Sequence, residues 1–314
     1  MKRGWMPTAA LWALAMLMSC GAALAGGDPS LRLAYQDRIG SVMPIIALHE
    51  GYFKQEGLDL KPLQFSSGPA CSEALYSGAA DVAAMGDTAA LIMAARASGM
   101  VMLASHATGE GRHRIMVRAD SPLQTLADLK GKKLGVKKGT STYGGVLAAL
   151  DKAGIPAGSV EIIDLSPPTM TEALFAGSID AFAASEPTPS VAETKGARQL
   201  VDLSGLGNEY PIMLLARKKY VAANKKALTL FFAALKKAAA YAAAHPEETA
   251  RIMAAQTGLP LPATKAALAR HVYRLRLDDG IVKSLSATAD FLVREKVIPA
   301  APDMAVVIDR EFVN

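Results

Sequence analysis

Short apolar segments alternate with helical patterns along the first two hundred residues. Apolar runs bounded by glycine or polar residues predict β-strands at 31–35, 58–65, 81–85, 100–104, 133–136, 160–165 and 179–183. Between these runs, apolar residues recur with the period of an α-helix and predict helices at 70–77, 88–98 and 142–153, as well as one with Pro44 in its first turn. Glycine, the natural residue for a left-handed helix end, closes the first three of these helices. The alternation predicts an α/β fold with a largely parallel sheet.

The pattern changes after residue 216, where only helical periodicity follows. It predicts helices at 228–244, from Pro246 onward, at 262–275 and at 282–295. The segment 245–248 (HPEE) supplies proline at a first helical position and acidic residues in the first turn. The basic pairs at 225–226 and 236–237 are interpreted as a solvated helix face. No segment beyond residue 25 is expected to span a membrane.

Two stretches of the chain match each other at a constant offset of 99 residues. Residues 73–83 (EALYSGAADVA) align with residues 172–182 (EALFAGSIDAF), and each is typical of a helix, a glycine stop and a strand opened by aspartate. The repeat predicts two similar α/β lobes in tandem. At the same offset, Asp87 after one strand corresponds to Glu186 after its counterpart.

The first 25 residues have the form of a secretory signal peptide. Lys2 and Arg3 precede an apolar run that is too short for a stable membrane anchor, and residues 23–25 (ALA) form a small-x-small cleavage site. Residues 17–20 (LMSC) also loosely resemble a lipobox, in which Cys20 would carry a lipid. Met18 fits that pattern poorly, so simple cleavage and a free periplasmic protein are the preferred interpretation.

Composition excludes several classes of protein. The chain has 314 residues, of which 51% are apolar and 20% charged, and this balance excludes disorder. Its 34 basic and 29 acidic residues are interspersed, so the net charge of +5 does not imply nucleic-acid binding. Removal of the leader lowers this charge by two, takes both tryptophans and leaves Cys71 as the one cysteine. A disulfide framework and a cysteine-based metal site are therefore not expected.

No catalytic or cofactor motif stands out in the sequence. The five histidines have no metal-binding spacing, and Cys71 lies on a predicted helix beside apolar neighbours, as a buried thiol would. There is neither a nucleophile elbow nor a phosphate-binding glycine loop. We therefore expect a binding protein that is not an enzyme and needs no cofactor or metal.

Several segments together resemble a known family. Residues 47–58 (ALHEGYFKQEGL) look like its first-helix signature, and residues 126–136 (LADLKGKKLGV) are similar to the start of its second lobe. Residues 173–180 and 245–248 also match typical family segments. The family is that of the periplasmic solute-binding proteins of ABC importers, in the nitrate, sulfonate and taurine group that also includes binders of thiamine-pyrimidine precursors.

This resemblance implies a fold and a function. The fold would be a type II periplasmic binding protein, with lobe one at 29–113 plus 212–314, lobe two at 114–211, and crossovers near 108–117 and 209–216. Ligand bound between the lobes would shift a hinge from open to closed. A monomer would deliver a small polar solute, such as a sulfonate, taurine or nitrate, to an ABC permease and its ATPase. The alternatives are an aminopyrimidine or thiamine-precursor binder, and a ligand sensor for a membrane receptor.

Candidate ligand-binding residues lie in loops after the predicted strands. In parallel sheets these loops feed helix N-termini, whose free N–H groups hold anions or carbonyls. The loops are 37–42, 66–68, 86–88 and 139–141. The candidate residues from them are Ser41, Ser67, Gly68, Gly86, Asp87, Thr88, Gly139, Thr140 and Ser141. Capping of helices alone would account for about half of such hydroxyls.

The charged candidates point to an amino-bearing ligand. If the lobes face each other, Asp87 and Glu186 converge on the cleft and favour a cationic or N–H-donating guest. Arg38, Arg112, His113 and Arg114 are possible sources of positive charge, and Arg114 has the best claim because it lies at a predicted crossover.

Two positions depart from the usual sulfonate-binder pattern. Residues 88–90 (TAA) stand where that group commonly has prolines, and Ser185 stands where it often has tryptophan. A wide aromatic clamp is therefore not expected, and the sequence leaves the identity of the ligand open.

Overall fold

The chain folds as two mixed sheets flanked by helices. The structure, a computed structural model, describes Met1 and residues 29–313. The proposed signal peptide and Cys20 therefore lie almost wholly outside the described residues. The strands are β1 Ser30–Gln36, β2 Asp59–Phe65, β3 Val82–Gly86, β4 Met100–Ala107, β5 His113–Arg118, β6 Lys133–Val136, β7 Glu161–Asp164, β8 Ala181–Ser185, β9 Ala197–Asp202 and β10 Ile212–Arg217.

Thirteen α-helices connect or cover these strands within residues 29–313. They are α1 Val42–His49, α2 Tyr52–Gln55, α3 Gly68–Tyr76, α4 Asp87–Arg96, α5 Ser141–Lys152, α6 Pro167–Phe175, α7 Thr188–Thr194, α8 Lys218–Ala223, α9 Lys225–Ala244, α10 Pro246–Thr257, α11 Leu261–Leu268, α12 Asp279–Arg294 and α13 Met304–Val307.

The two sheets have the same topology. The first has strand order β2-β1-β3-β10-β4 and the second β7-β6-β8-β5-β9. In each sheet one strand, β10 or β5, runs antiparallel to both of its neighbours. The chain passes from the first sheet to the second between Ala107 and His113 and returns between Asp202 and Ile212. We call each sheet with its packed helices a lobe.

All seven predicted strands are present, with ends that differ by at most three residues. The two extended crossings predicted from sequence end in β5 and β10. Strand β9 and helix α7 were not predicted, because residues 188–202 mix small, charged and apolar residues without a clear period.

The internal repeat is confirmed in the structure. Helix α3 and strand β3 in the first lobe have their counterparts, α6 and β8, displaced by 99 positions at both ends. Gly78 and Gly177 both adopt positive φ, 81° and 71°, between helix and strand. The aspartate that follows has one task in both lobes: Asp81 Oδ2 accepts the backbone N–H of Arg32, and Asp180 Oδ2 accepts that of Lys133. The repeated sequence thus encodes the start of each inner strand.

The predicted helix at 262–275 is shorter than expected, since α11 ends at Leu268. The residues after it extend along the edge of the first sheet instead. There, Thr108 exchanges backbone hydrogen bonds with Val272, and Ser105 does so with Arg276. This pairing satisfies backbone groups at the open edge of β4, which outweighs the helical tendency of the segment.

One helix corrects the expectation about membrane spans. Helix α9 (Lys225–Ala244) is long and apolar enough to cross a membrane by length and composition alone. Its Phe231, Phe232 and Leu235 are buried in the core of the first lobe, where α9 packs against α1. Packing in this core therefore accounts for the apolar residues of α9.

The two aspartates of the repeat allow a matched stability test. Asp81 is buried and also accepts two hydrogen bonds from the Arg32 guanidinium, whereas Asp180 is exposed. We expect Asp81→Ala to lower the free energy of unfolding by about 2 kcal/mol and Asp180→Ala by less than about 1 kcal/mol. Urea unfolding at pH 7 measures both, and equal losses would contradict the assignment.

The loss at Asp81 should depend on pH. Burial raises the pKa of Asp81, but the hydrogen bonds from Arg32 outweigh burial and hold the pKa below its ordinary value. A carboxyl with a depressed pKa stabilises the folded chain fully above its unfolded pKa, near 3.8, and this contribution is lost as the pH falls. The difference between wild type and Asp81→Ala should therefore shrink below about pH 4.

Candidate functional site

A small cavity lies between the two lobes at the carboxyl ends of the strands. This inner cavity has a volume of about 50 Å³, which suits a compact polar group. Both lobes and the first crossing contribute to its walls. Its lining consists of Gln36, Arg38, Gly40, Ser41, Ser67, Gly68, Gly86, Ala89, Arg112, His113, Lys137, Thr140, Ser141, Thr142, Pro167, Met170, Ala183, Ala184, Ser185, Glu186 and Ile212.

Helix N-termini from both lobes reach the inner cavity. Gly68 begins α3 and Pro167 begins α6, and these two helices are equivalent in the repeat. Ser141 begins α5, and Gly86 directly precedes α4. The first N–H groups of a helix lack intrahelical acceptors and carry partial positive charge, although Pro167 and Pro168 at the start of α6 have no N–H. Several such ends around one small space favour an anion.

Two arginines add full positive charge to this space. Arg112 is buried, and its Nη2 donates to the carbonyl oxygen of Tyr210 at 2.8 Å, while its Nε has no hydrogen-bond partner among the described residues. Arg38 is half-buried and donates to the Gln36 side chain at 3.2 Å and to the carbonyl oxygen of Ser185 at 3.5 Å. In residues 29–313, no carboxylate pairs with either guanidinium at salt-bridge distance.

Burial makes these charges costly. It lowers the pKa of Arg38 and of Arg112 to about 10 in each case, and the charge of Arg38 lowers the pKa of Arg112 further. Nearby Glu186 offsets part of the effect at Arg38, and Asp87 does so at Arg112. Both arginines stay protonated at neutral pH. They therefore leave a positive cleft that an anion would complement.

His113 adds a neutral polar group to the same wall. Its Nδ1 lies 2.7 Å from the Thr142 hydroxyl, and its Nε2 is buried without a partner in the described part of the chain. Burial and the Arg112 charge hold the pKa of His113 well below its ordinary value. When the Thr142 hydroxyl donates to Nδ1, Nε2 carries the ring proton and serves as a donor.

Seven of the residues selected from sequence line the inner cavity. These are Ser41, Ser67, Gly68, Gly86, Thr140, Ser141 and Glu186. The Ser141 Oγ is buried with no partner among the described residues, so its hydroxyl is available to a ligand. Thr140 instead caps α5, because its Oγ1 accepts the backbone N–H of Tyr143. Gly139, with φ of 73°, forms the turn before α5 and lies outside the lining.

The geometry does not support the converging pair of carboxylates. Asp87 lies outside the lining, and its Oδ2 accepts the Asn208 side-chain amide at 2.7 Å while its Oδ1 accepts the Thr88 backbone N–H. Glu186 does line the cavity, but its Oε1 accepts two hydrogen bonds from Arg114. The repeat places both carboxylates correctly after their strands, and local partners then occupy them.

Arg114 likewise does not supply charge to the cleft. It is fully buried and donates to Glu186, Glu193 and Ser190, so two carboxylates neutralise it. Successive residues of a strand point to opposite faces, and His113 and Arg114 are adjacent on β5. Since His113 faces the cavity, Arg114 faces α7. The arginines at the cavity are Arg38 and Arg112, which sequence reasoning named only as weaker sources of positive charge.

Glycines allow the two lobes to meet beside the cavity. A Cβ on Gly86 would lie 2.1 Å from Ser141 Oγ, and a Cβ on Gly144 would lie 3.0 Å from Thr88 Oγ1. Helices α4 and α5 come into contact across the cleft at this point. Thr88 therefore acts at the contact between the lobes and lies outside the inner cavity. The lobes are therefore in contact at this edge of the cleft, and we call this the closed arrangement.

Comparison with known proteins supports the same kind of molecule. Residues 41–249 match the family model described as NMT1/THI5 like. A protein of Bacillus subtilis (strain 168), whose name is that of an aliphatic sulfonates-binding protein, is 29% identical over 100% of this chain and 96% of its own length.

Two solved structures share the fold along most of the chain. The alkanesulfonate-binding protein SsuA of Xanthomonas axonopodis pv. citri, bound to MOPS, has a TM-score of 0.84 at 26% identity and covers 91% of this chain and 100% of its own. The periplasmic aliphatic sulphonate-binding protein SsuA of Escherichia coli has a TM-score of 0.79 at 26% identity, covering 90% and 92%.

Buried histidines behind the site predict a pH-dependent stability. His106 on β4 is fully buried, and neither ring nitrogen has a partner in the described part of the chain. Burial, helped by the Arg112 charge, lowers the pKa of His106 to about 3. The unfolded chain takes up this proton near pH 6.5, so acid favours unfolding, and stability decreases as the pH falls from about 6.5 toward 3.

Between pH 7 and pH 5, the free energy of unfolding should decrease by about 2 kcal/mol less in His106→Leu than in wild type. Urea unfolding at both pH values measures this. Met102→Leu, at a buried non-titratable residue of the same strand, is the matched control and should leave the pH dependence unchanged. An unaltered pH dependence in His106→Leu would show that His106 takes up its proton in the folded chain as well.

Proposed function

The chain belongs to the NMT1/THI5-like family, and from this premise we propose that its inner cavity binds the sulfonate group of a small organic anion. Its role is that of the substrate-binding component of an ABC transporter, as for the aliphatic sulfonate-binding proteins it resembles. The observation that carries the proposal is the pair of cavity arginines, Arg38 and Arg112, which have no carboxylate partner in residues 29–313.

The chemistry of the cavity favours a sulfonate over a carboxylate. Its free groups are mainly donors: two guanidiniums, helix N-termini and the unpartnered Ser141 hydroxyl. A sulfonate has three oxygens that only accept, and it stays a monoanion across the biological pH range. A carboxylate has two oxygens and would therefore leave more of these donors without an acceptor.

An aminopyrimidine ligand has less support. A flat heterocycle is usually held by stacking on an aromatic side chain, and the lining of the inner cavity includes no Phe, Tyr or Trp. His113 is the aromatic ring there, and one of its nitrogens is engaged by Thr142.

We also propose that the chain acts as a binding protein without catalysis. Cys71 is fully buried outside the cavity lining, and burial raises the pKa of its thiol to about 12, which removes the thiolate needed for attack.

A monomer suffices, because both walls of the cavity come from one chain. Lobe one would comprise 29–113 with 212–314 and lobe two 114–211. Export by the signal peptide would place the protein in the periplasm, where it meets the permease.

The arginines provide the direct test of the proposal. We expect Arg112→Met to weaken binding of a short alkanesulfonate at least about 100-fold, because a buried charge partner is removed, and Arg38→Met to weaken it about tenfold or more. Isothermal titration calorimetry at neutral pH measures both. Arg118→Met, at an exposed arginine paired with Asp120, is the control and should bind as wild type. Unchanged affinity in Arg112→Met would overturn the proposal.

Closure of the lobes gives a second test. In Gly86→Ala the new methyl group would meet Ser141 Oγ in the closed form, so we expect weaker sulfonate binding with little change in unfolding free energy. The double variant Gly86→Ala/Ser141→Ala removes that oxygen and leaves a Cβ separation of 3.4 Å. It should bind as the single Ser141→Ala variant does. Failure of this rescue would show that contact at Gly86 does not limit closure.

A further inference from the structure

A second, larger cavity adjoins the inner one at the mouth of the cleft. This outer cavity has a volume of about 490 Å³ and lies between the loops after β1 and β2 in the first lobe and helices α6 and α7 in the second. Arg38 and Pro167 line both cavities, so the two spaces adjoin. An organic anion whose head group reaches Arg38 and Arg112 therefore extends its remaining atoms into the outer cavity.

Asp37 is the notable polar group of the outer cavity. It follows β1 directly, and its Oδ1 is buried with no hydrogen-bond partner among the described residues. Burial raises the pKa of Asp37, although the nearby Gln256 side chain offsets part of this effect. A buried carboxylate oxygen without a donor is unfavourable, so a donor supplied by a ligand would be bound strongly.

Apart from Arg38, the other charged side chains of this cavity already pair with each other. Glu172 and Lys195 lie 3.0 Å apart and pair with each other. Asp37 has no salt bridge in the described part of the chain. Phe65, Val191 and Leu259 provide apolar wall between the charged groups. The lining thus combines an apolar passage with one carboxylate that lacks a cation.

We propose that Asp37 is a second ligand-binding group, which holds an ammonium or other N–H donor on the tail of the bound sulfonate. The chain then selects zwitterionic organosulfonates over simple alkanesulfonates. This inference rests on the proposed function, because it needs the sulfonate at Arg38 and Arg112. Asp37 and Arg38 are adjacent in the chain and line the same cavity, so a ligand that reaches both needs only a short spacer between its two charges.

The test compares ligands that differ only in the terminal amino group. Calorimetry at neutral pH is performed with ethanesulfonate against 2-aminoethanesulfonate, and with propanesulfonate against 3-aminopropanesulfonate. We expect wild type to bind at least one amino compound about tenfold more tightly than its partner, as for a hydrogen bond to a charged group. Asp37→Asn should abolish this preference and leave the affinity for the plain alkanesulfonates within about twofold.

Glu172→Gln is the matched control, because it removes a carboxylate from the same cavity that Lys195 already neutralises. It should keep the tenfold preference. Equal binding of both compounds in each pair by wild type, or a preference that survives in Asp37→Asn, would overturn the role of Asp37 while the sulfonate function stands. If wild type binds none of the four compounds, both the sulfonate function and the role of Asp37 are wrong.

Discussion

Two guanidiniums held in a closed cleft without carboxylate partners are the central constraint of this structure. Burial of like charges opposes folding and closure, because the lost hydration is not replaced by a counter-ion from the protein. The helix N-termini around Arg38 and Arg112 add to the positive potential. The packed cores of both lobes must therefore hold the site against electrostatic repulsion. An anion bound between the lobes, as we propose, would relieve this repulsion and couple ligand binding to the closed arrangement.

The duplicated lobe explains how one chain builds such a site. Each copy carries a helix, a glycine turn and a strand opened by aspartate, and the equivalent helices α3 and α6 direct their N-termini at the cavity from opposite sides. The copies differ at the last residue of the repeated strand. Gly86 allows contact with Ser141, whereas the equivalent Ser185 provides the carbonyl that Arg38 contacts. Asp87 and Glu186 stay equivalent in position, and both bind protein groups.

Most of the fold follows from local sequence. Apolar runs with glycine ends predicted seven strands and most of the helices, because burial of one face and the positive φ of a helix end depend mainly on neighbouring residues. The failures have tertiary causes. Residues 272–276 lie along the edge of β4, and the apolar residues of α9 pack in the core of the first lobe. Neither contact can be inferred from the sequence of neighbouring residues alone.

By itself the sequence determined the α/β class, the duplication, the family and the loops that contribute to the inner cavity. These features depend on periodicity and on short motifs whose effect is confined to neighbouring residues. Only the tertiary structure decided which charges face the cleft. Arg114 is neutralised by Glu186 and Glu193, while Arg38 and Arg112 stay without a carboxylate. Asp37 and Asp87 both lie at the end of a strand, and only their surroundings distinguish them. Asp87 accepts a hydrogen bond from Asn208, whereas Oδ1 of Asp37 has no partner among the described residues. Whether a charged side chain has a counter-ion depends on the partners that distant segments bring to it. The sequence alone does not give the distances between those segments.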